Sequence, residues 1–190
     1  MIRLIKAACA GTFALAGASA VSAGGAPDPV SPLLAATAGR WTGELQYRDY
    51  GNNTWQGLPM TVRIAVQPDG LTMVRTAAFD DGPQTGTVWI TTVSQFDPAS
   101  SSEAYAGFRK GRESDSGKRA LALAGSPRDA VHWTMVATET RKDGDSLAVV
   151  RETTTRDGST MVTVKEVNLL DDGKDEWLPR NRTKLKRVGR

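Results

Sequence analysis

From Arg40 onward the chain alternates. Trp41, Gly43, Leu45 and Tyr47 interleave with Thr42, Glu44, Gln46 and Arg48, and Met60, Val62, Ile64 and Val66 interleave with Thr61, Arg63 and Ala65. A period of two sends one set to a buried face and the other to water, the mark of a half-buried strand. Runs of this kind predict strands over about 40–49, 59–67, 71–79, 85–96, 103–109, 119–124, 130–139, 146–155, 160–170 and 181–188. Pro68-Asp69-Gly70, Asp81-Gly82-Pro83, Asp143-Gly144, Asp157-Gly158 and Asp172-Gly173 fall between runs. Asp followed by Gly suits the backbone of a tight hairpin, so these dipeptides predict antiparallel connections. Ahead of the first strand, Ser31-Pro32-Leu33-Leu34 leads to Gly39. A capping Ser, a Pro in the first turn and a stopping Gly predict one short helix. No second helical stretch is long enough for a βαβ unit, so the class is all-β. A meander of this length has two edges to hide. Closure into an antiparallel up-and-down barrel of about 8–10 strands hides both, with a flattened sandwich as the alternative.

The first residues change the charge picture. Arg3 and Lys6 precede an apolar run from Ala7 to Ala18, closed by Ala18-Ser19-Ala20 and Val21-Ser22-Ala23. Basic start, apolar middle and small-residue exit make a secretory signal over 1–23, with cleavage after Ala23 or Ala20. The run is too short for a bilayer span. Residues 24–38 then form a leader and the short helix, and 39–190 the barrel domain. Removing Arg3 and Lys6 lowers the formal charge from +3 to about +1, so the high isoelectric point says little about nucleic acid. Cys9, the only cysteine, leaves with the signal. The mature chain then has no disulfide and no thiol nucleophile. The expected location is periplasmic or secreted.

Gly39-Arg40-Trp41-Thr42-Gly43-Glu44, directly after the short helix, resembles the opening of the lipocalin and fatty-acid-binding (calycin) superfamily. It also looks like small exported bacterial lipocalin-like domains. The resemblance implies that Trp41 plugs the closed end of the barrel. It further implies that a basic residue of the last strand, Arg182 or Lys184, packs across that tryptophan. The sequence departs from the family in lacking its second-loop signature and any disulfide pair.

Candidate chemistry is sparse. His132, the only histidine, lies between Val131 and Trp133 and should face outward. One histidine and no mature cysteine exclude an ordinary zinc site. No Gly-x-Ser-x-Gly occurs, so no hydrolytic triad is indicated. Asp80-Asp81 and Asp171-Asp172 read as hairpin chemistry rather than calcium ligands. No catalytic residue, metal or cofactor is assigned, and the chain is not read as an enzyme.

Mid-strand charges at Arg75, Arg151, Glu152, Lys165 and Glu166 interrupt β-forming runs. Facing solvent, they discourage contact between sheets. Facing inward, they must pair, or they orient an anionic ligand. Alternation leaves their side open. Tyr50 and Trp55 fall on an expected first loop, Asp49 to Leu58, either covering a ligand or packing on the rim. The last eleven residues carry six basic side chains. They form either a closing edge strand with protective lysines or a patch for an acidic envelope surface. A lipid-spanning barrel is not expected, because outward sets such as Arg40, Glu44 and Arg48 are charged.

Two functional expectations result. The first is a barrel that binds a small apolar or amphipathic ligand, with Tyr47, Trp89, Tyr105 and Trp133 lining the lumen. The second is a cell-envelope interaction protein acting through its surface and basic C-terminal tail. Nucleic acid is not an expected partner, and no transmembrane segment is expected after signal removal.

Overall fold

The computed structural model describes residues 28–49 and 51–189. The expected export signal of 1–23, the start of the leader and Tyr50 lie outside the described residues. A short helix α1 (Ser31–Ala35) precedes ten strands and one further helical turn. The strands are β1 (Gly39–Asp49), β2 (Thr54–Val66), β3 (Thr72–Asp80), β4 (Thr87–Asp97), β5 (Ser102–Arg109), β6 (Asp115–Leu123), β7 (His132–Asp143), β8 (Ser146–Asp157), β9 (Thr160–Leu169) and β10 (Leu178–Val188). The turn α2 (Gly82–Thr85) joins β3 to β4. Each strand pairs antiparallel with its sequence neighbour, and β1 pairs with β10 to close the barrel. Closure leaves no free edge, which answers the edge problem posed by the meander. Among the described residues no helix is long and apolar enough to cross a membrane.

The turns form for the expected reason. The Asp69 carboxylate accepts hydrogen bonds from the backbone N–H groups of Leu71 (2.9 Å) and Thr72 (2.8 Å) and from the Thr72 hydroxyl (2.6 Å). The same side-chain-to-backbone pattern recurs at Asp97 and Asp172. Such bonds fix a turn locally, before any tertiary contact.

Three strand limits differ from the sequence reading by four residues or more. β2 begins at Thr54, so the expected loop to Leu58 is mostly strand, and Trp55 lies on the outer barrel wall rather than over a mouth. There the Arg182 guanidinium stacks 4.2 Å from its ring centre. β6 begins at Asp115, and β7 runs on to Asp143. Polar residues dominate both extensions, and they weaken the alternation on which a strand is read.

The core has three parts. Trp41, Met60, Val62, Ala77, Phe79 and Leu185 pack on the β1–β3 and β10 side. Val30 and Leu33 of the α1 region pack on Phe96, Leu121, Trp133 and Met135, capping one end of the barrel. Ala148, Val150 and Val167, supported by Leu169 and Leu178, form a small cluster toward the other end. Between these apolar zones the lumen is polar.

Candidate functional site

Two assemblies inside the barrel combine charge with burial: the α1 end and the middle of the lumen.

At the α1 end, Trp41 is 1% exposed, and its indole N–H donates to the Thr37 carbonyl at 3.0 Å. The Arg156 and Arg187 guanidinium carbons lie 4.5 and 5.5 Å from the Trp41 ring centre. Arg187 donates to the carbonyls of Ala36 (3.1 Å) and Ala38, and Arg156 to those of Gly158 (2.6 Å) and Ala36 (3.5 Å). A cation over an indole face is attracted by the ring quadrupole, and both guanidinium groups here also donate to backbone carbonyls. Gly39 has φ +140°, and a Cβ there would meet Arg187 Nη2 at 2.9 Å. Glycine is therefore needed both for the backbone and for the arginine above it. The sequence reading placed Arg182 or Lys184 on Trp41, and that assignment is corrected to Arg187. The register pairs Trp41 with Arg187, while Arg182 and Lys184 alternate to the outer face. Arg182 there bonds Gln46 and stacks on Trp55.

In the middle of the lumen lies a cavity of about 470 Å³. Four cations (Arg75, Arg119, Arg141, Lys165) and four carboxylates (Glu103, Asp115, Glu139, Glu152) line it. Arg119 binds two of the carboxylates, Glu103 at 2.6 Å and Glu152 at 2.7 Å. Arg141 lies 3.1 Å from Asp115 and 3.4 Å from Glu139. Tyr105 donates its hydroxyl to Glu139 at 2.9 Å and accepts from Arg141 at 3.2 Å. Burial together with the Glu139 bond pushes the Tyr105 phenol up to about 12. Burial opposes the charge on Arg119, but the Glu103 and Glu152 carboxylates outweigh it and raise its pKa.

The Tyr105–Glu139 bond spans a whole strand, since Tyr105 is on β5 and Glu139 on β7. It passes over Gly117 of β6, where a Cβ would lie 2.8 Å from the Tyr105 hydroxyl and 2.9 Å from Glu139 Oε2. β6 pairs with β7 only over Ala120–Leu123. Beyond that stretch, the Arg141–Asp115 pair links β7 to β6, and the Tyr105–Glu139 bond links β7 to β5. A second cavity of about 270 Å³ shares Ile90, Thr92, Tyr105 and Asp115 with the first and reaches the β5–β6 connection at Arg112 and Glu113.

Arg75 and Lys165 differ from the other two cations. Neither makes a hydrogen bond or ion pair with a described residue, although both face the cavity. Burial lowers the pKa of both, and the Glu152 carboxylate acts on both in the opposite direction. Lys165 stands opposite Glu152 in the β8–β9 register, yet Glu152 is turned to Arg119.

The mid-strand charges thus divide. Arg75, Glu152 and Lys165 face the lumen. Arg151 and Glu166 form a 2.9 Å pair on the outside, with Arg151 stacked 3.8 Å from the Trp177 ring centre. Of the four aromatics expected in the lumen, Tyr105 and Trp133 line it. Tyr47 has inward parity but stands beyond Leu45 at the rim, 50% exposed. Trp89 points outward and is 59% exposed, a correction to the expected inward direction. Val88, Ile90 and Thr92 take the inner face of β4, so parity leaves Trp89 in solvent. His132 faces outward as expected, with Nδ1 2.7 Å from Asp129 and Nε2 3.4 Å from Asp157. The sequence reading missed Glu103, Arg119, Glu139 and Arg141. Their signal was present, since Glu103 and Tyr105 share parity on β5, and Glu139 and Arg141 continue the inward set of Trp133 and Met135.

The fold is a closed ten-stranded up-and-down barrel with an internal cavity, an architecture consistent with a lipocalin-like protein. No family model matches the chain, and no curated protein matches it.

Proposed function

We propose that this protein is an exported barrel that binds a small amphipathic molecule in its lumen. The carrying observation is the cavity of about 470 Å³, which lies within the usual range for small-molecule sites and joins an apolar β1–β4 side to polar groups converging from the other strands. Leu45, Ile64, Phe79, Ile90 and Met161 supply apolar surface, and Arg75, Lys165 and Tyr105 supply polar anchors. The export signal read from residues 1–23 supports a periplasmic or secreted location.

The alternative, an envelope protein acting through the basic C-terminal strand, has less support. The outward row Arg182, Lys184 and Lys186 is partly engaged with the barrel wall. Arg182 bonds Gln46, and Lys184 stands opposite Glu44.

Mass spectrometry of protein purified natively from its own compartment tests the reading. A co-purifying small molecule, released on unfolding and restoring a higher melting temperature when added back, is the expected result, because a ligand of the folded state alone stabilises it. Trp133 lines the cavity, so binding should also alter tryptophan emission. A preparation free of any such molecule, with no change of melting or emission across a broad panel of small amphiphiles, would overturn the reading.

A further inference from the structure

The polar and apolar surfaces of the lumen are divided by wall. On β8, β9 and β10, Thr154, Thr163 and Thr183 stand side by side in register, and the Thr154 and Thr163 hydroxyls lie 2.9 Å apart. The next rung is Glu152, Lys165 and Asn181. All six line the cavity. The arc from β1 to β4 instead presents Leu45, Ile64, Met73, Phe79 and Ile90. Arg75 enters from that apolar arc, between Ile64 and Thr92 in register.

Charge completes the picture. Arg119 and Arg141 already hold two carboxylates each, while Arg75 and Lys165 have no ionic partner among the described residues. The lumen holds as many carboxylates as cations, but Arg75 and Lys165 touch none of them. An enclosed cation without a direct partner is costly, and a ligand oxyanion would supply that contact. A molecule with a polar head and an apolar tail wants its polarity at one end of a pocket. Here β8–β10 present mainly hydroxyls, an amide and a lysine, β1–β4 mainly hydrocarbon, and the paired charges of Glu103, Arg119, Glu139 and Arg141 lie on β5–β7 between them.

Resting on the lumen-binding reading above, we infer that the ligand is an organic anion with two unlike edges. Its acidic, hydroxylated edge faces β8–β10, its apolar edge faces β1–β4, and its acidic group lies between Arg75 and Lys165. The guanidinium of Arg75 offers a planar donor fork to an oxyanion, and Lys165 offers a point charge.

The test is calorimetric titration of the protein with three probes: 3-hydroxy-2-naphthoate, the neutral 2-naphthol, and decanoate as a head-and-tail acid. The hydroxynaphthoate should bind at least about tenfold more tightly than either of the others, the value of one charge-assisted hydrogen bond. Arg75→Gln and Lys165→Met should each remove about tenfold of that affinity and leave 2-naphthol unchanged. The outward control Lys186→Gln should change nothing. If Arg75→Gln does not fold, Lys165→Met carries the comparison. Equal affinity for acid and neutral ring, tighter binding of decanoate, or folded variants that bind the hydroxynaphthoate undiminished would each overturn the inference while leaving lumen binding intact. Failure of all three probes to bind would overturn this inference, while the lumen-binding reading stands or falls on the native preparation and the broad panel above.

Discussion

The barrel encloses cations in two settings, and only the lumen holds some that are unmatched. At the α1 end, Arg156 and Arg187 flank Trp41, and each finds backbone carbonyls. In the lumen, Arg119 and Arg141 are matched by carboxylates, but Arg75 and Lys165 are not. Matching makes a charged group part of the scaffold, so its removal should cost stability. An unmatched charge stabilises nothing in the empty barrel, so its removal should cost binding instead. Stability and binding should therefore separate along this division.

The largest stability effect should come from the scaffold side. Trp41→Ala removes a buried indole at the centre of the α1 end and should destabilise by about 3–5 kcal/mol, read from urea unfolding. Arg187→Ala should lower the midpoint clearly, since it frees the Ala36 and Ala38 carbonyls. Arg182→Ala, on the outer wall, should lower it less. The reverse ranking would break the assignment of Arg187 as the closing residue.

Next in size is the matched part of the lumen. Glu103 is 3% exposed and accepts a 2.6 Å bond from Arg119. Glu103→Gln should destabilise by about 1.5–3 kcal/mol, the value of a hydrogen bond to a charged group. A change within error would place the pair with ordinary surface pairs, and the division between scaffold and site would lose one side.

Gly117→Ala probes the strand-spanning bond. The added methyl must displace the Tyr105 hydroxyl or Glu139, and overpacking of this kind costs about 1–3 kcal/mol. The variant also has a signature in pH. With its phenol raised to about 12 from 10.0, Tyr105 keeps its proton in the fold after the unfolded chain has released it. Its contribution to stability is fully present below pH 10.0 and is lost as pH rises toward about 12. Loss of the Glu139 bond should bring the phenol back toward its ordinary value, as ultraviolet titration would read. An unmoved titration would mean that Glu139 does not hold it.

Most of the fold was legible in the sequence and only part of the site was, for a physical reason. All ten strands were located because Asp-Gly turns and period-two runs are local signals that survive any tertiary arrangement. Trp41 was legible because its glycine neighbour and preceding helix are local too. Sidedness failed where both faces of a strand carry apolar β-branched residues. Val149 and Val150 are adjacent on β8, and only Val150 is buried. On β9, Val162 and Val164 share one parity while the buried Val167 has the other, which it shares with Lys165. Alternation alone has nothing to choose between there. Trp89 was misplaced because two apolar neighbours, Val88 and Ile90, compete with it for the inner face. The matching of lumen charges depends on register and on strands that are not neighbours: Glu103 stands opposite Arg119 only because β5 and β6 pair as they do, and Arg119 reaches past β7 to Glu152 on β8. No local pattern encodes it.

The smallest stability effect, and the only one of opposite sign, should come from Lys165. Its pKa is lowered first by burial and then by Arg141, so the fold disfavours the charged form that the unfolded chain carries. Lys165→Met keeps most of the length of the side chain and removes that charge. It should stabilise the empty barrel by about 0.5–2 kcal/mol, in the range of substitutions that relieve a functional compromise. The sign in pH follows from the same lowering. Between the lowered value and the ordinary 10.5, the unfolded chain holds a proton that the fold has released. The native protein therefore gains stability as pH rises through that window, and the gain is absent below the lowered value. Lys165→Met should remove this rise, and the gap between variant and native protein should be widest below the lowered value and close as pH approaches 10.5. Melting curves recorded from neutral to alkaline pH decide the matter. A variant less stable than the native protein at neutral pH would mean that Lys165 is matched within the barrel, and the contrast between the two settings would fail at its most exposed point.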